Sequence, residues 1–599
     1  MKRFSLICGM LLSLGFASRL TAAEKPNVVL IVLDDYGWKD SGCYGSTYYK
    51  TPNIDKLAKS GVRFTEFYAA CPVCSPTRAS ILTGKYPQRY GITDWLPGRP
   101  DGPSQKLTRP ELPTGLPLEA VTLAESLKAA GYTTGHIGKW HLGGEKMSPL
   151  EQGFDVNIAG DHTGTPLSYF APYKNKMRTM PGLEAAPEGE YLTDRLAAEA
   201  EKFIGANKDK PFFLYLPHYG VHTPLKAKAD VIAKYKQGNP GSQGNPVYAA
   251  MVESADDAVG RVLKALDDAK LSENTVVIFT SDNGGLATTE GAGTPSTINS
   301  PLRDGKGHLY EGGVRIPFIV RGPGVGKPAV ISTVGCSIDI TPTVLDLCGV
   351  KSEEKYDGVS LKGVLNGEPL DRPAIYWHYP HYANQGSRPG GAIRAGDWKL
   401  IEFYESNRRE LFNIKADVSE SQNKAAEKPE LVKELAGKLA AWRSKVGAKM
   451  PLTNFKYLPN PQAKDGTITL HSRSADVYGS MLRFEPLPHK NTLGFWVKVE
   501  DYATYDFTVE KPGTFTVEVL QGCGKGSGGS EVEMSVGDSK FTFIVKDTGG
   551  FQAFEARDVG TLMIDKSGRQ VLTVKPLKKP GVAVMDLRQV VLKPIAKGE

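Results

Sequence analysis

The chain is predicted to be an α/β protein. A large mixed, mostly parallel sheet sandwiched by helices is followed by a small α+β C-terminal subdomain and an appended all-β sandwich. Three features predict this. "KPNVVLIVLDD", "KPFFLYLPH" and "NTVVIFTSDN" are apolar runs that stop abruptly at polar residues, as parallel strands buried on both faces do. Helix-patterned segments lie between them, and strands alternating with helices imply a sheet with covered faces. Beyond residue 465 the pattern changes to two-residue alternation, the period of a half-buried strand.

The elements follow in order. "MKR", the apolar "FSLICGMLLSLGFA" and the small-residue "TAA" precede Glu24. A basic start, a short apolar stretch and a cleavage site predict a signal peptide over 1–23, and hence a secreted or periplasmic protein. The run is too short to span a bilayer comfortably, Arg19 interrupts its far end, and no later segment is apolar enough to cross a membrane. The α/β domain is expected over 24–369. In "TPNIDKLAKSG" Ile54, Leu57 and Ala58 are helically spaced, "TLAESLKAAG" has the same form, and a Gly closes each.

The α+β subdomain is expected over 370–449. "AIRAGDWKLIEF" reads as strands, and Leu431, Leu435, Leu439, Trp442 and Val446 share one helical face. A Pro- and Gly-punctuated linker follows over 450–465, then a β-sandwich over 466–599. There Tyr505, Phe507 and Val509 alternate, a Pro-Gly turn intervenes, and Phe515, Val517 and Val519 alternate again. "GCGKGSGGS" reads as a surface loop.

With 599 residues, 40% hydrophobic and 23% charged, the chain has an ordinary globular composition with room for several domains. The formal charge of +7 falls to about +4 when Lys2, Arg3 and Arg19 leave with the leader. No dense basic run with interleaved aromatics points to nucleic acid. The six cysteines beyond Cys8 are too sparse for a disulfide scaffold.

The chemistry centres on "AACPVCSPTRASILTGKYPQR". Cys71 and Cys74 could form a redox pair, a metal clip, or one reactive thiol with a bystander. Ser75 suits an N-cap, Pro76 the first helical position and Gly84 the stop. Cys74 is thus expected at the mouth of a short helix, where backbone N–H groups and the dipole favour negative charge, with Arg78 in the first turn.

In "LDDYG", Asp34 and Asp35 follow the first strand, where open α/β sheets place ligands; an Asp pair there is more often a cap or turn. "VVIFT" ends similarly at Asp282 and Asn283, and four hard oxygen ligands would suit Ca²⁺ or Mg²⁺ better than zinc. In "GKWHLG", Lys139 and His141 are two apart, so on an extended segment they face the same way. "LPHYGVHTPL" offers His218 and His222, and "PLRDGKGHLYEGGVRIP" offers Lys306 and His308.

"CSPTRASILTG" resembles the signature of the type I, formylglycine-dependent sulfatases, arylsulfatase-like members of the alkaline phosphatase superfamily. Thr77 stands where serine is usual and keeps the hydroxyl. "GKWHLG" and "GKG" followed by "YEGGVRIP" are similar to the family as well. The resemblance spans about residues 25 to 445, with "RAGDWKL" and "ELFNIKADVSESQN" as its late segments. It implies an alkaline phosphatase-like sheet and a formylglycine made from Cys74 by a formylglycine-generating or sulfatase-maturating enzyme. It also implies a divalent cation, Ca²⁺ before Mg²⁺, held by Asp34, Asp35, Cys74, Asp282 and Asn283.

By the same resemblance Arg78 takes the arginine position, Lys139 contacts the sulfate and His141 holds the formylglycine hydroxyl. Asp282 assists attack, His222 protonates the leaving group, and Lys306 is shared between sulfate and leaving oxygen. His308 is a further substrate-binding candidate, and Cys71 is read as structural. Loops carrying His162, His378, His381 and Arg388 are candidates for setting substrate choice.

The implied function is hydrolysis of sulfate esters, on a sulfated carbohydrate or an aryl sulfate. The alternatives are a phosphate or phosphonate ester hydrolase of the same superfamily, and a catalytically inactive glycan-binding protein if Cys74 stays unmodified. The β-sandwich reads as either a carbohydrate-binding module or a structural cap.

Overall fold

The computed structural model describes residues 25–237 and 243–595; the expected signal peptide lies outside the described residues. One sheet is built from β1 (Asn27–Leu33), β2 (Val62–Tyr68), β3 (Thr133–Ile137), β4 (Val156–Ile158), β5 (Phe212–Pro217), β6 (Thr275–Ser281), β7 (Arg315–Arg321), β8 (Ala329–Ile331) and β9 (Gly335–Cys336). Their order is β9-β2-β7-β6-β1-β5-β3-β4, with β8 also on β2. β1 lies parallel between β5 and β6, whereas β7 runs antiparallel to both β2 and β6. The sheet is therefore mixed, with a parallel centre.

β1 is buried along its whole length, and its alternation feeds two cores. Val29, Ile31 and Leu33 meet α1 (Pro52–Ser60), α4 (Leu192–Ala206) and α5 (Pro246–Asp268). Val28, Leu30 and Val32 meet α2 (Cys74–Thr83), α3 (Leu123–Ala129) and α7 (Ile340–Leu347), while α6 (Glu311–Val314) leads into β7. Local signals fix the helix ends. Thr122 and Glu125 form a reciprocal capping box on α3, with bonds of 3.1 and 2.7 Å. Asn245 caps α5 by accepting from the Val247 and Tyr248 amides.

A second sheet is antiparallel: β10 (Ile375–Tyr379), β11 (Gly390–Ala395), β12 (Trp398–Phe403) and β13 (Arg409–Asn413), in that order. The helix α8 (Pro429–Lys445) packs on it through Leu435, Leu439 and Trp442. The same core takes in Tyr68, Cys71 and Val314, so it is continuous with the first unit. Polar anchoring is also shared. Fully buried Lys399 lies 2.9 Å from Glu311 and 3.0 Å from Glu420.

Beyond residue 465 the strands form a six-stranded and a five-stranded sheet around one apolar core. Tyr505, Phe507, Val509, Phe515, Val517 and Val519 are all buried in it. The Pro-Gly turn joins the strands Tyr502–Val509 and Gly513–Cys523, which belong to different sheets and do not pair with each other. Their apolar faces meet across the sandwich. The segment over 450–465 is pinned rather than free: Leu452 and Thr453 pair with Thr108 and Leu107, and the Tyr457 hydroxyl donates to Asp506 at 3.0 Å.

Candidate active site

The parallel strands β1, β3, β5 and β6 all point their C-terminal ends to one place, where an open α/β sheet leaves a crevice. Asp34 and Asp35 leave β1, Lys139 and His141 follow β3, His222 follows β5, and Asp282 and Asn283 follow β6. Asp35 sits at φ 58°, outside strand geometry, which lets two adjacent carboxylates converge. Cys74 is the first residue of α2 and is 3% exposed. Arg78, one turn later, shares its face.

Two local expectations are corrected. Ser75 is not the N-cap: Val73 takes that position, with no side-chain cap, and Ser75 lies inside the helix. Its hydroxyl instead donates to the His141 carbonyl at 2.9 Å and accepts from the Leu96 amide at 3.1 Å. Lys139 and His141 do not share a strand face either, because β3 ends at Ile137, Gly138 lies at φ 134° and His141 at φ 58°. Turned backbone brings the two side chains in. Gly84 does stop α2, in the left-handed region at φ 67°.

Ion pairs lock the centre. The Arg78 Nε and Nη2 both donate to Asp282 Oδ2, at 3.0 and 2.7 Å, and Nη1 donates to the Lys139 carbonyl at 3.0 Å. Lys139 Nζ meets Asp34 Oδ2 at 2.6 Å. Lys306 Nζ donates to Asp35 Oδ2 at 2.9 Å and lies 3.0 Å from His222 Nε2. The Asn283 amide donates to Asp35 Oδ1 at 2.8 Å. Cys74 Sγ lies 3.3 Å from His141 Nδ1, and His141 Nε2 lies 2.7 Å from the Leu96 carbonyl. A carbonyl only accepts, so Nε2 carries the proton and Nδ1 presents its lone pair to Cys74. Likewise, His222 Nδ1 donates to the Thr223 carbonyl at 2.7 Å, which leaves Nε2 facing Lys306.

Burial pushes the Cys74 thiol up to about 11 and, with Lys306 adding repulsion, the His222 imidazole down to about 3. Burial also raises Asp35, but Lys306 and His222 outweigh it and hold that carboxyl at about 2. Asp34 goes the other way, up to about 8, through burial and the nearby charge of Asp282. Two buried oxygens beside it, Asp34 Oδ1 and Asn283 Oδ1, have no hydrogen-bond partner among the described residues. Crowded carboxylates and orphaned hard oxygens are the donor set a divalent cation fits.

One oxygen each from Asp34 and Asp35 and a His222 ring nitrogen lie within 4.8 Å of one another. Cys74 and Asp282, expected among the ligands, fall outside that tightest group. The sulfur is turned to His141, and Asp282 Oδ2 to Arg78.

The wider candidates divide. His308 is buried and bonds the Lys306 carbonyl at 3.2 Å through Nδ1. His218 is buried in the wall with neither ring nitrogen partnered among the described residues. His378 is held by the Tyr404 hydroxyl and the Lys449 carbonyl, and His381 by Thr93, so both are buried and bonded within the fold. Arg388 is bound to Glu405 and Asp476; His162 is exposed. Cys71 and Cys74 are both free thiols, and no disulfide occurs among the described residues. The sequence reading missed the Leu96 carbonyl, which carries no residue signature. It also missed Glu290, in a Gly-rich loop without a motif, 3.9 Å from Lys306.

The family model "Sulfatase" matches residues 26–350, and "N-sulphoglucosamine sulphohydrolase, C-terminal" matches 304–445. The chain is similar to a sulfatase of Formosa agariphila, at 34% identity over 77% of this chain and 98% of that one. It is also similar to the rat N-acetylgalactosamine-6-sulfatase, at 35% identity over 67% of this chain and 76% of that one. Among solved structures, Ps i-CgsB in complex with k-i-k-neocarrahexaose matches at 32% identity and a TM-score of 0.60, over 70% of this chain and 93% of that one. The chain is a member of the type I sulfatase family, within the alkaline phosphatase superfamily, and a sulfuric ester hydrolase.

Proposed function

We propose that the protein is an exported sulfatase that removes sulfate from a sulfated carbohydrate, using a formylglycine made from Cys74 and a bound Ca²⁺. The observation that carries this reading is the position of Cys74 Sγ. It lies at a helix N-terminus, 3.3 Å from an unprotonated His141 nitrogen, inside a ring of Arg78, Lys139 and Lys306. The signal-like leader supports export. The names of the relatives, an N-acetylgalactosamine-6-sulfatase and a protein bound to a neocarrahexaose, support a carbohydrate substrate.

Asp34, Asp35, Asp282 and Asn283 would hold the cation, which when bound offsets negative charge on sulfate oxygens. Oxygen-only donors favour Ca²⁺, with Mg²⁺ second. A formylglycine hydrate supplies two hydroxyls on one carbon, one to attack and one to expel sulfate afterwards. The chain's own groups do the rest. Arg78 is fixed by Asp282 and Lys139 by Asp34, so their charges are oriented before substrate arrives. His141 Nδ1 accepts the hydroxyl proton. The resting His222 ring carries its proton on Nδ1, so Nε2 first takes up a proton from solvent as the sulfate's negative charge enters beside it. It then passes that proton to the leaving oxygen while Lys306 offsets its charge.

The test is mass spectrometry across Cys74 in native-host material, together with sulfate release from aryl and sugar sulfates. Formylglycine at position 74 is expected, and Cys74→Ala should lose activity by on the order of 10⁴-fold or more. Full activity in material whose residue 74 is unmodified cysteine would sink the reading.

A further inference from the structure

Two loops leave the reaction centre and come together beyond it. The first contains Leu96, whose carbonyl holds His141, and continues to Arg99 and Lys106. The second contains Gln385, whose amide donates at 2.6 Å to Glu290, the neighbour of Lys306, and continues to Arg388. Arg99 Nη1 donates to the Ala383 carbonyl at 3.0 Å and ties the loops together. The β-sandwich closes the far side with His471, Arg473 and Ser474. The result is a cleft of about 450 Å³ along the seam between the two units, within the size range of small-molecule sites.

The charges in this cleft are unevenly used. Lys106 is taken by Asp476 at 2.6 Å and Asp506 at 3.0 Å, and Arg388 by Glu405 at 2.8 Å. Arg99 and Arg473 are exposed and have no carboxylate in ion-pair range among the described residues. Tyr382, Asn384 and Tyr457 share the lining. Free guanidinium groups suit sulfate, and amide and phenol groups suit sugar hydroxyls and ring faces.

We propose that this cleft binds the neighbouring sugars of a sulfated oligosaccharide, so that the β-sandwich supplies substrate recognition through Arg473. The proposal rests on the carbohydrate reading above. Gly386, Ser387, Arg388 and Arg473 line both this cleft and a neighbouring cavity that reaches His308, beside Lys306. A chain whose reacting sulfate sits at Cys74 would run out along the seam, with further sulfates meeting Arg99 and Arg473.

The experiment compares full-length wild type, Arg473→Glu and Arg99→Glu. Substrates are 4-nitrophenyl sulfate and sulfated oligosaccharides of two, four and six sugars from carrageenan and chondroitin sulfate. Calorimetric binding of the oligosaccharides to the Cys74→Ala chain, at low and raised salt, runs alongside. Each charge reversal should raise KM or Kd for the hexasaccharide about tenfold. Turnover of 4-nitrophenyl sulfate and the thermal midpoint should not move in Arg473→Glu. Arg99→Glu, which also cuts the tie to the Ala383 carbonyl, is read as the ratio of its hexasaccharide to its 4-nitrophenyl sulfate rate. The wild-type preference for longer chains should weaken with salt. Unchanged hexasaccharide binding in both variants would overturn the proposal. So would wild type that hydrolyses 4-nitrophenyl sulfate yet binds six sugars no better than two. Wild type inactive on every sulfate ester would instead sink the functional reading itself.

Discussion

On the proposed mechanism His141 and His222 are the two proton carriers of the site, and in each a backbone carbonyl takes one ring N–H and so fixes what the other nitrogen does. For His222 this yields a leaving-group prediction. His222→Ala should slow a sugar sulfate, whose alkoxide leaves poorly, by about 10²–10⁴-fold. It should barely slow a nitrophenyl sulfate, whose phenolate needs no proton. A series of aryl sulfates of rising leaving-group pKa would measure the slope, and an equal loss across the series would contradict the role. The place of Cys74 and Arg78 at a helix entry was legible from local pattern, whereas the Asp pairs read alone as caps or turns and became cation candidates only through the resemblance to the sulfatases. The Leu96 carbonyl was not legible, since a backbone acceptor looks the same in every residue. Ser75 misled because Ser-Pro is a common helix start; here the nearby His141 carbonyl captured its hydroxyl.

Among the elements, α3 and the second sheet give opposite kinds of expectation. Thr122→Ala removes the buried half of a capping box, together with the hydroxyl's 2.9 Å bond to the Gln152 carbonyl. It should cost about 1 kcal/mol in urea unfolding and leave sulfate release untouched. Lys399→Met strands Glu311 and Glu420 against each other in the interior. A cost of about 3–5 kcal/mol is expected, with the second sheet exposed first to proteolysis. Burial raises the Glu311 carboxyl, but Lys399, Arg315 and Arg394 overcome that and hold it at about 2, below its usual 4.5. A depressed carboxyl stabilises the fold fully above about pH 4.5 and loses that contribution as pH falls toward 2. Acid should therefore loosen this junction in that window, readable by the fluorescence of Trp398. Element type was legible from the periods alone, as in β1 and α8. Pairing was not. The Pro-Gly turn marks a reversal of direction, and alternation shows which side chains face inward, but neither says whether the second strand stays in the same sheet or crosses to the facing one.

For the whole molecule, the proposed cation and the seam set the terms. Ions that bind only the folded chain stabilise it by RT ln(1 + [L]/Kd), about 2.7 kcal/mol at a hundredfold excess over Kd. Chelation should accordingly lower both the melting temperature and the activity, and Ca²⁺ should restore both. Each of the two large units has its own apolar core, and the contacts joining them near Arg388 are mainly polar. Calorimetry should resolve more than one transition, and raised salt should separate them further.

Cys74 is almost wholly enclosed once α2 has docked. On the proposed mechanism this sets an order of events in the protein's life. The oxidising catalyst must reach the thiol while the segment is still extended, because the finished fold shuts it out. Activity is then settled during biogenesis, and a molecule that folds too early stays inert unless it is unfolded again.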